Sequence, residues 1–198
     1  KYMQNDIRVW STLGGIYSKM ISVGETSYIT NAEQAFAQAV ELSPTRALTW
    51  NEWGKLYLIA GQYTQAVEKF NQALELNADF PEANMFNALS NFYLKDFASG
   101  ELYLNKVLEI KPSILQSPVY SGLIVDAYIT HGYSQKAVDL LVGLLELFPR
   151  DDLLRVKLAV VYKNMGRIDD ARTETEYIIR HSVDMSIKNA AQAFIESL

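Results

Sequence analysis

An active site needs titratable or nucleophilic groups that converge, and this chain supplies few of them. It contains no Cys and two His, His131 and His181. Thiolate nucleophiles, disulfides and Cys-ligated zinc or iron–sulfur centres are therefore excluded, and little material is left for another metal site. His131 stands in a Thr-His-Gly run that reads as a solvated turn. The carboxylate pairs Asp151-Asp152 and Asp169-Asp170 lie at the starts of periodic apolar runs. There a carboxylate accepts backbone N–H bonds and complements the positive end of a helix, which accounts for both pairs without acid–base catalysis. Gly14-Gly15 lacks the spacing and the preceding strand of a phosphate loop. Three Trp could stack on bases, but Trp10, Trp50 and Trp53 fall on helix-core periodicity. The sequence predicts no catalytic residues, no cofactor and no metal ligands.

Charge narrows the partners further. With 18 Lys+Arg against 23 Asp+Glu the formal net charge is -5, and the cations are scattered singly. A nucleic-acid partner would require clustered cations to neutralise phosphates, so none is expected. The densest apolar stretch, 137–148, is interrupted by Asp139 and Glu146, and no window offers the roughly 18 apolar residues of a membrane span. The chain opens at Lys1 with neither an initiator Met nor a leader, and so reads as an excised piece of a longer product.

The residues that remain are organised by a repeat. Tyr128, Gly132, Ala137 and Leu141 recur 34 positions later as Tyr162, Gly166, Ala171 and Thr175. Trp53, Gly54, Tyr57, Gly61, Ala66, Phe70 and Ala73 form a fuller version upstream. Trp50, Trp53, Tyr57 and Ala66, Phe70, Ala73 are helical stripes, so each unit reads as a helical hairpin with a glycine turn. Small residues at Gly54, Ala66, Ala137 and Ala171 allow close approach of paired helices. Pro81 and Pro118 suit a first helical turn, and Thr30 and Asp169 are candidate caps.

This pattern resembles the tetratricopeptide repeat: an aromatic, a small residue, Tyr, a glycine turn, Ala, an aromatic, Ala and Pro. The resemblance implies an all-α fold, a right-handed α-solenoid of tandem hairpins with a C-terminal capping helix. Counting outward gives one array with units at 7–46, 47–82, 83–117, 118–151 and 152–185, and a cap at 186–198. The first unit matches through Trp10, Leu13, Gly14, Tyr17, Ala32, Phe36, Ala39 and Pro44, with an insertion around Ser22 to Asn31 that reads as extended helices. The third is aligned on Phe86, Leu89 and Tyr93, with Gly100 where Ala66 stood and a turn two residues shorter. His181 falls in the column of Leu42, Leu76, Ile110 and Leu147, which predicts a half-buried side chain beside the cap.

Members of this family generally bind extended peptides or partner helices on the inner surface lined by the first helix of each hairpin. By matching columns that surface would present Arg8 and Ser11, then Asn51 and Lys55, then Asn84, Asn87 and Asn91, and finally Asp126 and Lys163. The four asparagines are the sharpest lead, because a side-chain amide both donates to and accepts from a peptide backbone. The basic-and-amide clamp of chaperone-binding members is not matched. Asn5 to Tyr17, with Leu42-Ser43-Pro44, also resembles the start of the tetratricopeptide tail behind the membrane spans of bacterial O-antigen ligase or polymerase-like proteins. That second resemblance implies a positioning or assembly appendage rather than a free scaffold.

Overall fold

The computed structural model describes residues 6–198; Asn5, where the O-antigen ligase-like resemblance begins, lies outside them. Among the described residues there are eleven α-helices and no strand. In chain order they are α1 (Ile7–Ser22), α2 (Ile29–Leu42), α3 (Ala47–Ile59), α4 (Tyr63–Leu76), α5 (Pro81–Tyr93), α6 (Phe97–Ile110), α7 (Pro118–Thr130), α8 (Ser134–Leu147), α9 (Asp152–Asn164), α10 (Ile168–His181) and α11 (Met185–Glu196). The chain divides after Lys111 into two compact units. The first contains the hairpins α1/α2, α3/α4 and α5/α6. The second opens with a 3₁₀ segment, Pro112–Gln116, and contains α7/α8, α9/α10 and the single helix α11.

From the second hairpin to the fifth the design is constant: a first helix of 13 residues and a second of 14. The turn residue has φ of +72° at Gly61, +82° at Gly132 and +74° at Gly166, a backbone conformation that glycine adopts without steric cost. Lys95 holds the same position in the third hairpin with φ 64°. The first hairpin departs from the design. Its α1 has 16 residues and is followed by a 3₁₀ turn, Thr26–Tyr28, so the insertion lengthens one helix by about a turn and leaves α2 at the standard 14.

The third hairpin corrects the column assignment made on Phe86 and Tyr93. Its helices begin at Pro81 and Phe97, each 34 residues after Ala47 and Tyr63, so its turn is not shortened. In that register Asn84, Asn87 and Asn91 occupy the columns of Trp50, Trp53 and Tyr57.

Each early hairpin is closed by a phenyl ring seated against a position without a side chain. Phe36 and Phe70 are fully buried. A Cβ on Gly14 would stand 2.8 Å from the Phe36 ring, and one on Gly54 only 2.5 Å from the Phe70 ring. The third hairpin reverses the arrangement: the ring is Phe92 on the first helix and the seat is Gly100 on the second, where a Cβ would lie 2.3 Å from it. Tyr57 then fills the wedge between hairpins, its hydroxyl donating to Glu33 Oε1 at 2.8 Å. The second unit closes on aliphatic contacts, with Leu141, Leu144, Leu154 and Leu158 almost completely buried.

Four of the helix starts are capped by aspartates. Asp6, Asp96, Asp151 and Asp184 accept backbone N–H bonds from the first turns of α1, α6, α9 and α11. Thr30 and Asp169 are not caps. The 3₁₀ turn runs straight into α2 at Ile29, and α10 starts at Ile168, so both residues already lie in the first helical turn. The last helix, α11, packs on α10, beginning at 185 rather than 186. Its apolar side is thin, with Ala191 its one buried residue and Phe194 half-buried.

Two stability predictions follow from this packing. Gly54→Ala should destabilise the fold by about 1–3 kcal/mol in urea unfolding, because the new methyl overlaps a ring that close packing cannot displace; adding Phe70→Leu should recover part of that loss. Burial, reinforced by the Glu33 carboxylate, pushes the Tyr57 hydroxyl up to about 12. The neutral phenol is thus favoured by folding, and its contribution is complete below the ordinary tyrosine value of about 10 and disappears as pH rises through about 12. Tyr57→Phe should therefore flatten the decline of the urea midpoint across that window; an unchanged decline would show that other groups cause it.

Candidate functional site

Each residue expected on the inner face can now be placed. In the first unit, Arg8 is exposed and forms a 2.7 Å ion pair with Asp6. Ser11 is half-buried and accepts a long bond, 3.4 Å, from Arg46 Nη1. Lys55 donates to both Glu52 oxygens at 3.0 Å, with its ammonium 5.7 Å from the centre of the Phe86 ring. Asn51 is buried, its Nδ2 reaching Glu52 Oε1 at 3.4 Å and its Oδ1 without a hydrogen-bond partner.

The other three asparagines do not form an open amide surface. Asn84, Asn87 and Asn91 are all buried, and their amides are spent inside the fold. Asn84 Nδ2 donates to the carbonyls of Ala78 and Phe80 at 2.9 and 3.0 Å, tying α5 to the loop before it. Asn91 Nδ2 donates to Asn87 O and Oδ1, both at 2.9 Å. Asn87 Nδ2 donates in turn to Asn71 Oδ1 at 2.8 Å, and the Tyr103 hydroxyl donates to the same oxygen at 3.1 Å. The physical reason is the column shift: these positions hold aromatics in the second hairpin, and a buried amide must find partners in the protein once water is excluded. On α5 the columns of Asn51 and Lys55 carry Met85 and Leu89, both buried.

In the second unit Asp126 is exposed on α7. Lys163 is not free: its Nζ donates to Ser197 O at 3.2 Å and Ser197 Oγ at 2.9 Å and lies 5.0 Å from the centre of the Phe194 ring, fastening α11 to α9. His131 Nδ1 lies 2.8 Å from the Ala127 carbonyl, a helix-end contact. His181 is exposed rather than half-buried, stacked on Tyr177 with ring centres 4.2 Å apart.

Column matching by residue type missed one charged constellation. Arg155, in the column of Trp50, pairs with Glu174 at 2.5 Å and lies 3.8 Å from the centre of the Tyr177 ring. Glu174 stands in the column of Lys69, whose ammonium sits 4.4 Å from the Trp53 ring centre. A cation–π contact in one hairpin is thus replaced by an ion pair in another. The 34-residue column carries that signal once the hairpins are set in the right register. Among the described residues no group of three or more His, Asp or Glu is placed to hold a metal ion, and no helix is long and apolar enough to cross a membrane.

Comparison with known proteins fits this geometry. The tetratricopeptide repeat family model matches residues 54–85, which span most of the second hairpin and the start of α5. No curated protein matches. Among solved structures, a tetratricopeptide repeat protein from Parabacteroides merdae ATCC 43184 is 18% identical, with a TM-score of 0.62 over 96% of this chain and 71% of that one. YrrB, a tetratricopeptide protein with an unusual peptide-binding site, is 16% identical with a TM-score of 0.56, over 96% of this chain and 93% of its own. PilW, a type IV pilus biogenesis factor, is 17% identical with a TM-score of 0.62, over 96% and 92%. None of these comparisons bears on the O-antigen ligase-like resemblance. The chain has the tetratricopeptide-repeat fold, an α-solenoid architecture typical of protein–protein interaction scaffolds.

Proposed function

We propose that the protein is a non-catalytic interaction scaffold that binds an extended peptide or a partner helix on the first helices of its hairpins, through aliphatic contacts rather than an asparagine ladder. One observation carries this reading. Leu48, Val119 and Leu153 occupy the same column of α3, α7 and α9 and are 42%, 64% and 43% exposed. A large aliphatic side chain repeated at one exposed column does not serve the core, and such apolar positions rimmed by charge are suited to contact with another protein. In the first unit α3 also carries exposed Ile59 and the Lys55–Glu52 pair; in the second, α7 also carries exposed Asp126. YrrB offers a precedent for peptide binding on this architecture.

The test is selection of peptides against the chain from a display library, followed by affinity measurement on variants. Leu48→Asp should weaken peptides that bind the first unit about tenfold from a micromolar starting point, and Val119→Asp those that bind the second, while Leu102→Asp, on exposed α6 surface, leaves both unchanged. Asn87→Ala with Asn91→Ala should lower thermal stability and leave affinity intact in the folded fraction. Selected peptides that bind all of the aliphatic variants equally well would refute the proposal.

A further inference from the structure

The fifth hairpin lacks the side chain on which the earlier ones close. The eighth position of the second helix holds Phe36 in α2, Phe70 in α4, Leu104 in α6 and Leu141 in α8, but Thr175 in α10. The eighth position of the first helix, which seats it, holds Gly54 in α3, Val125 in α7 and Ala159 in α9. A ring meets glycine in the second hairpin and two aliphatic side chains meet in the fourth, so volume is conserved in both; the third supplies its ring from Phe92 instead. In the fifth, two small residues meet, Thr175 at 1% and Ala159 at 2% exposure, and the space between them goes unfilled.

A cavity of about 160 Å³ lies at that place, between α9, α10 and α11. Its deepest wall is Thr175 and Ile178, both buried, and half-buried Val156 and Phe194 flank it. The Thr175 hydroxyl donates to the Ala171 carbonyl at 2.7 Å, so its polarity is spent on its own helix. An apolar cavity of about 150 Å³ takes up one benzene molecule. The space thus has the volume of the ring that position 175 lacks. Access is between Val160 and Ala190, both exposed. Val160 occupies the column of Lys55, and exposed Leu153 stands about two turns before it on the same side of α9. The Lys163 ammonium lies 5.0 Å from the Phe194 ring centre, and its hydrogen bonds go to uncharged oxygens of Ser197, which leaves the rim cationic.

We propose that this cavity is an anchor pocket of the peptide-binding surface. It takes one phenylalanine side chain of the bound peptide, which supplies from outside the ring missing at Thr175, while an acidic residue next to that anchor pairs with Lys163. The assignment rests on the peptide-binding reading above and adds which peptides the second unit selects.

Toluene, which is the anchor's ring alone, tests the cavity, and the peptides selected by display test the anchor. Toluene should raise the Tm of the intact chain by about 2–4 °C. It should not raise that of Thr175→Phe, which fills the cavity from its wall, or of Ala190→Phe, which fills it from an exposed position and spares the core. Selected peptides that are weakened by Val119→Asp should carry phenylalanine beside Asp or Glu. They should lose about tenfold in affinity when that phenylalanine becomes alanine, and about as much on Ala190→Phe in the protein. A Tm indifferent to toluene overturns the cavity. Peptides weakened by Val119→Asp yet indifferent to both Ala190→Phe and Thr175→Phe overturn the anchor and leave the scaffold reading standing, whereas a chain that selects no peptide overturns both.

Discussion

The first unit depends on the contact between a phenyl ring and a backbone position that has no side chain. A helix pair can approach closely only where one partner gives up its Cβ, and the ring then fills the space from the other side, so that volume is conserved across the seam. Phe36 on Gly14 and Phe70 on Gly54 set the distance between the helices of their hairpins. The same two rings also stack on the following first helix, which couples hairpin closure to hairpin stacking. Tyr57 and its bond to Glu33, the Trp50–Trp53 stack and the Lys69 contact above it are arranged around that spacing.

Where the third hairpin reverses the seat, its first helix loses the aromatic columns and gains a chain of amides. The links from Asn91 through Asn87 and Asn71 to the Tyr103 hydroxyl cross three helices, α5, α4 and α6. Such a network is directional where an apolar seam is not: a slip of one residue along α5 would strand several buried donors at once. The second unit has neither device. It is held by leucines, by the Arg155–Glu174 pair stacked on Tyr177, and by Lys163 reaching the end of α11. Two units of the same repeat fold are therefore stabilised by different chemistry.

Much of this was legible in the sequence, and for identifiable reasons. Period and hairpin composition follow from Trp53, Tyr57, Gly61, Ala66 and Phe70, because geometry tolerates few alternatives at those columns. The turn glycines and the prolines at Pro81 and Pro118 also take their expected places. The candidate site was less legible. Phe86 and Tyr93 look like the aromatic columns of the third hairpin, and that resemblance of type moved the alignment off its columns and carried Asn84, Asn87 and Asn91 onto an exposed face. Length conservation, 34 residues between equivalent helix starts, was the better guide there. Lys163 illustrates a different limit: column matching predicts that it faces inward, but the last helix, arriving from the end of the chain, claims its ammonium.

The reversed seat also determines what can be exchanged between hairpins. Pairing α3 with α6 would set Gly54 opposite Leu104 and Leu58 opposite Gly100, leaving both places underfilled. Pairing α5 with α4 would press Phe70 onto Ala88 and Phe92 onto Ala66, with two rings competing for space made for one. The inheritable module of this array is accordingly the hairpin and not the helix. A recombination point between α5 and α6 separates a ring from its seat, whereas one in the loop 77–80 keeps every ring with its seat and parts contacts between hairpins such as the Asn71–Asn87 bond and the Phe70–Phe86 stack.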